Sequence, residues 1–294
     1  MISYNSKEWF SIFFLHKGDT FRKLFPLIVF ISFYTMLIAF IELEWLHLSK
    51  KGIVSNIPLM HSLLGFAISM LLVFRTNTAY DRWWEGRKQW GSLVNTSRNM
   101  AIKFNVLLPE NDTTSREFFA SIIPRFAVVL MQHLRSQAVK FELDDRPHPE
   151  IPDFDTSKHM PAQVSGLIFS KANQLYKDNI ISGEQLLMLN NDITALMDIT
   201  GACERIRNTP IPFSYIAFIK KFIFIYMITL PLGYVFSLGF LAVPVVAFIF
   251  YVLASLEVVA EEIEEPFGTD SNDLPMEQLC SRINQSVKGI LIPS

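Results

Sequence analysis

Seven carboxylates, Glu261, Glu262, Glu264, Glu265, Asp270, Asp273 and Glu277, fall in one stretch that contains no lysine or arginine. Oxygen ligands gathered beside a tight turn, here Pro266-Phe267-Gly268, suit a hard cation such as calcium. The spacing is not that of an EF-hand, so a solvated acidic turn reads equally well. Other chemistry is sparse. The six histidines (His16, His47, His61, His133, His148 and His159) form no HExxH or HxxxH pair, and no GxSxG elbow, P-loop or dinucleotide-binding glycine pattern appears. Metal hydrolysis, acyl transfer and nucleotide chemistry therefore lack the residues that carry them. Cys203 and Cys280 make neither a CxxC pair nor a disulfide framework and read as reduced thiols. The chain does not read as an enzyme.

A different kind of site lies in the uncharged run from Ile57 to Phe74. At about 100° per residue, Leu59, Leu63, Phe66, Met70 and Phe74 share one stripe of a helix, with Ser62, Gly65 and Ser69 on the adjacent face. Small residues let helices approach closely in lipid. The bulky stripe either faces lipid or a neighbouring helix, or lines a pore as a hydrophobic constriction that gates by dewetting. His61 reads as a buried, hydrogen-bonded side chain, with a proton or ion site as the sharper alternative. Three tryptophans and four cations follow in RTNTAYDRWWEGRKQWG, residues 75–91. Trp83, Trp84 and Trp90 stand far along the continuing helix, a depth that favours packing in a cytosolic bundle over an interfacial belt.

These residues need helices to hold them, and the composition says where. Only 18% of the chain is charged, against about 25% in a soluble protein, and the charges avoid the apolar runs. A membrane-spanning helix takes about 20 apolar residues. Leu24–Ile41 and Ile57–Phe74 supply two such runs, and Phe222–Leu256 carries no charge and is long enough for two more. Pro231 and Gly233 are expected to break that stretch, because proline deletes a backbone donor and glycine permits a turn. Ile211–Tyr215 extends the third helix backwards, past Lys220 and Lys221. Lys17, Arg22 and Lys23 before the first span, and Arg75, Arg82, Arg87 and Lys88 after the second, place both termini and residues 75–210 in the cytosol. Lys50 and Lys51 weaken that contrast. Within the cytosolic part, 79–107, 116–141, 163–176 and 183–207 carry helical spacing. A net charge of −2 gives no basic face for nucleic acid.

Three stretches taken together resemble the bacterial branch of the bestrophin family. They are LLVFRTNTAYDRWWEGRKQWG at 71–91, ACERIRNTPIPFSY at 202–215 and EEIEEPFGTDSNDLP at 261–275. Their order and spacing extend the resemblance over essentially the whole chain. It implies an all-α integral membrane protein with four transmembrane helices per subunit and a helical cytosolic region, assembled as a homopentamer around an axial pore. The segments are 1–76 (N-terminal segment and spans one and two), 77–210 (cytosolic helices), 211–257 (spans three and four) and 258–294 (acidic turn and C-terminal segment).

The resemblance also assigns residues. The pore neck falls on Phe66, Met70 and Phe74, within the stripe that the helical wheel gives independently. A cytosolic aperture falls on Glu184. Eukaryotic members hold calcium in the acidic stretch after the fourth span. Asp270 and Asp273 match that pattern, whereas Glu262 and Glu265 stand where it has side-chain amides. No cofactor is then required, and a calcium site stays open. The partners are other copies of the chain, membrane lipid and monovalent ions, in the cell inner (plasma) membrane. The reading is an ion channel that leans toward cations, sodium in particular, because of the Glu184 ring. A chloride channel of the same architecture is the alternative, and a membrane carrier a third.

Overall fold

A computed structural model describes residues 20–45, 57–135, 150–151, 154–155 and 157–292. Lys17, Lys50, Lys51, His16, His47 and His148, together with residues 136–141 at the end of one expected helix, lie outside the described residues. Eight α-helices follow one another among those described: α1 Thr20–Phe40, α2 Ile57–Leu107, α3 Thr113–Arg135, α4 Met160–Lys177, α5 Gly183–Asn208, α6 Phe213–Leu238, α7 Ala242–Glu264 and α8 Met276–Leu291. The chain divides into two compact units, and α2 contributes to both. One holds residues up to Trp83, Pro210–Glu265 and Asp270–Asn272; the other holds Trp84–Thr209, Pro266–Thr269 and Asp273 onward.

The first unit contains the apolar helices. Thr20–Trp45, the start of α2 and the α6–α7 segment Phe213–Glu264 are long and apolar enough to cross a membrane. Their shared core is made by Leu24 and Ile31 of α1, Ile68 and Leu72 of α2, Ile219, Ile223, Met227 and Leu230 of α6, and Val246, Phe250 and Leu253 of α7. Pro231 does not break the stretch as expected. It sits inside α6, which continues to Leu238, and membrane helices tolerate such prolines where neighbours re-satisfy the freed carbonyl. The turn is made instead by Gly239, whose φ of 56° is left-handed backbone that glycine adopts without strain. Gly233 serves a different purpose. A Cβ there would lie 2.7 Å from Ile57 Cγ2, so the missing side chain is what lets the start of α2 reach α6.

The second unit is built around α3. By length and composition α3 could also cross a membrane, but 72% of that window is buried by the protein itself. It is therefore a core helix, with α4, α5 and α8 packed on it. Phe104 of α2 stacks on Phe119 of α3, and Trp90 is fully buried. α8 was not expected from the sequence. Its buried positions Met276, Leu279, Cys280, Ile283, Val287 and Leu291 recur at helical spacing and form one apolar stripe. Gly86 gives α2 its closest approach to the PFG turn, since a Cβ there would meet Phe267 and Pro266 at 3.2 Å.

Candidate functional site

The first half of α2 has two distinct faces. His61, Ile68, Leu72 and Arg75 are buried within the chain, while Leu59, Leu63, Phe66, Met70 and Phe74 point away from it, Phe66 with 73% of its surface exposed. The hydroxyl groups near the exposed stripe are tied back. Ser62 Oγ donates to Pro58 O at 3.0 Å, Ser69 Oγ to Gly65 O at 2.7 Å and Thr78 Oγ1 to Phe74 O at 2.9 Å. These bonds occupy the hydroxyl protons and leave apolar atoms dominant along the stripe. The small-residue face packs only in part. Gly65 lies under Tyr226, whose Oη would sit 2.8 Å from an added Cβ, but Ser62 and Ser69 are exposed in the single chain. His61 is buried, with Nδ1 2.9 Å from Ile57 O and Nε2 3.0 Å from Thr229 Oγ1. Both ring nitrogens are thus used structurally.

Just past the stripe, Arg75 is enclosed. Its Nη2 lies 2.6 Å from Glu264 Oε2, and its Nε 3.7 Å from Glu257 Oε2. Glu264 joins the conspicuous stretches of sequence: Oε1 accepts from Ile211 N at 2.8 Å, and its backbone carbonyl accepts from Arg82 Nε at 3.0 Å. A buried carboxylate that anchors three segments in this way holds the end of α7 against α2 and the entry to α6.

At the acidic turn, Glu262 is engaged through both carboxylate oxygens. Glu262 Oε1 meets Lys23 Nζ at 2.5 Å, and its Oε2 accepts from Asn272 Nδ2 at 2.6 Å. The Asn272 carbonyl accepts from Trp83 Nε1 at 3.0 Å. Glu265 and Asp270 are exposed, and Asp273 is buried in the second unit. Calcium needs several unengaged oxygens around one centre, and at Glu262 those oxygens already have protein donors.

Glu184 is exposed in the first turn of α5, beside the capping box formed by Ser182 and Gln185. Ser182 Oγ donates to its carboxylate at 2.8 Å, and this bond holds the carboxyl below the usual range. Of the tryptophans, Trp90 is fully buried and Trp83 is hydrogen-bonded, but Trp84 is 47% exposed, against the expectation that all three pack inward. Cys203 and Cys280 are free and buried, and burial pushes each thiol up to about 12.

The profile of the Bacterial/Fungal Bestrophin protein family matches residues 1–289. This chain belongs to the bestrophin family. Among its relatives, the voltage-dependent anion channel-forming protein alr2987 of Nostoc sp. is 32% identical over 97% of this chain and 92% of its own length. The voltage-dependent anion channel-forming protein YneE of Escherichia coli strain K12 is 30% identical over 96% of this chain and 91% of its own length. The crystal structure of a bacterial bestrophin homologue from Klebsiella pneumoniae superimposes with a TM-score of 0.76 at 26% identity, covering 90% of this chain and 97% of that one. The expected all-helical membrane architecture is thereby met.

Sequence reasoning missed what ties this bestrophin together. Arg75 was read as a flanking charge and Glu264 as one acid among seven, although they form one buried ion pair. The available signal was position. Arg75 directly follows an uncharged run, and Glu257 is the first charge after another. Charges so close to apolar helices are rarely left unpaired.

Proposed function

We propose that this bestrophin is an anion channel, conducting chloride through a pore enclosed by several copies of the chain. The observation that carries the pore is the exposed stripe Phe66, Met70 and Phe74 on α2. The stripe points away from its own chain, so it can line a conduit only between copies. Five copies about one axis is the arrangement that the family resemblance implies. The narrow part then excludes ions of either sign by desolvation until it widens or wets. The relatives from Nostoc sp. and Escherichia coli, named voltage-dependent anion channel-forming proteins, favour anions over the sodium expected from Glu184.

The channel sits in the inner membrane with both termini cytosolic, a reading supported by Arg22 and Lys23 before the first span and Arg75 after the second. Calcium is not needed to hold the acidic turn, since the Lys23 ammonium already neutralises Glu262. Reversal potentials across a sodium chloride gradient in planar bilayers test the proposal. A potential close to that of chloride supports it, and one close to that of sodium overturns it.

One observation favours the cation reading. Glu184 is exposed and ionised, and a ring of such carboxylates at a constriction would draw cations. Substituting Glu184→Gln in the same bilayers decides whether that side chain reaches the ion path.

A further inference from the structure

Three elements of the second unit converge on one carboxylate. His133 lies in the last turn of α3, His159 caps the N-terminus of α4, and Glu204 lies near the end of α5. His133 Nε2 is 2.6 Å and His159 Nε2 2.8 Å from the same oxygen, Glu204 Oε1. All three potential ligand atoms fall within 4.8 Å of one another. The imidazoles are tilted at 57° rather than stacked flat.

We propose that His133, His159 and Glu204 bind a divalent transition-metal ion of the zinc class. Two imidazole nitrogens and one carboxylate oxygen form a borderline donor set that suits zinc and its neighbours, whereas calcium and magnesium take oxygen alone. The carboxylate is kept for this purpose. Arg205 and Arg207 are its close neighbours on α5, yet Arg205 pairs with Glu85 at 2.6 Å and Arg207 donates to His133 O at 2.9 Å. Among the described residues no lysine or arginine pairs with Glu204, so two imidazoles face a carboxylate that no fixed cation neutralises. His133 is also held from behind, since Arg207 donates to its backbone carbonyl at 2.9 Å. The side chains are a quarter to two-fifths exposed, which leaves an entry path and a fourth position for water.

Two adjustments accompany binding. Bonds of about 2.1 Å to a tetrahedral ion set ligand atoms about 3.4 Å apart, so each imidazole nitrogen must draw back from Glu204 Oε1 by several tenths of an ångström. Each imidazole proton must also leave Nε2 for Nδ1, which at His159 gives up the capping bond to Ala162. A bound ion replaces that bond and staples α3, α4 and α5 together.

Titrating zinc chloride into the chelator-stripped, full-length protein in detergent tests this by calorimetry. One ion per chain, with a dissociation constant of about 1 μM or tighter and a higher melting temperature, is the expected result. His159→Asn keeps a side chain able to cap α4 but lacks the imidazole, so its fold should survive. It and Glu204→Gln should each weaken binding by more than about tenfold, the scale on which even outer-shell partners act. Cobalt(II) supplies a readout independent of variants, since coordination by this set gives an intense visible band. Absence of saturable zinc binding, a cobalt spectrum no different from that of the aqueous ion, or unchanged affinity in both variants would each overturn the site. The cluster would then be a hydrogen-bonded triad and nothing more.

Discussion

Arg75 Nη2 lies 2.6 Å from Glu264 Oε2, and the Arg75 side chain has no exposure to solvent. Breaking a buried ion pair strands its partner without water, which typically costs about 3–5 kcal/mol. Arg75→Met should therefore lower the melting temperature of the detergent-purified protein steeply. The double variant Arg75→Met with Glu264→Gln should recover part of the loss, because no lone charge is then left facing Arg75's place on that carboxylate. If the two variants melt alike, the pair is not what joins α2 to α7.

Truncating the stripe should act on flux rather than on stability. Phe66→Ala, Met70→Ala and Phe74→Ala each remove an apolar side chain that is more than half exposed in the single chain. Single-channel conductance should rise in each, with the reversal potential unchanged, because dewetting penalises both signs. Unaltered conductance in a well-assembled protein would mean that the stripe packs against helices or lipid instead.

Calcium chelation should leave the current in place. Lys23 already occupies one oxygen of Glu262 and Asn272 the other. Lys23→Ala frees that carboxylate, so this variant, unlike the unsubstituted protein, should gain melting temperature when calcium is added. Loss of all current in chelator from the unsubstituted channel, restored by calcium, would contradict the closed geometry of the acidic turn.

Acid should destabilise the second unit through Glu277. Burial alone would push its carboxyl up, but the Arg135 hydrogen bond outweighs this and sets it below the usual range. A group with a depressed folded value stabilises fully above its unfolded value of about 4.3 and loses that contribution as pH falls through the folded value. Glu277→Gln should lower the melting temperature at neutral pH and flatten its decline below about pH 4.3. A decline as steep as that of the unsubstituted protein would assign the acid sensitivity to other carboxylates.

The parts of the fold that local pattern dictates were legible beforehand. Uncharged runs marked the apolar helices, and the spacing of Phe66, Met70 and Phe74 marked one face of α2. Helix α8 was equally available, since Leu279, Ile283 and Val287 repeat at four residues, but the neighbouring acidic turn drew the reading toward metal ligands. Pro231 misled because a backbone rule for water was applied where neighbouring helices set the outcome, while the left-handed turn fell to Gly239. Pairings such as Lys23 with Glu262, 239 residues apart, are tertiary facts that no local pattern encodes. The same holds for the meeting of His133, His159 and Glu204.

The three-residue turn at Gly239–Leu241 also bears on how the protein is made. It joins two apolar helices and carries no charge, so it offers the translocon no topogenic signal of its own. As α6 leaves the ribosome, Arg205, Arg207, Lys220 and Lys221 all mark its first end. Its far end meets the start of α2, already made, through Gly233 and Ile57, before α7 emerges and folds back. A nascent chain arrested before Ala242 would therefore present α6 to α1 and α2 alone, with α7 still to complete their shared core.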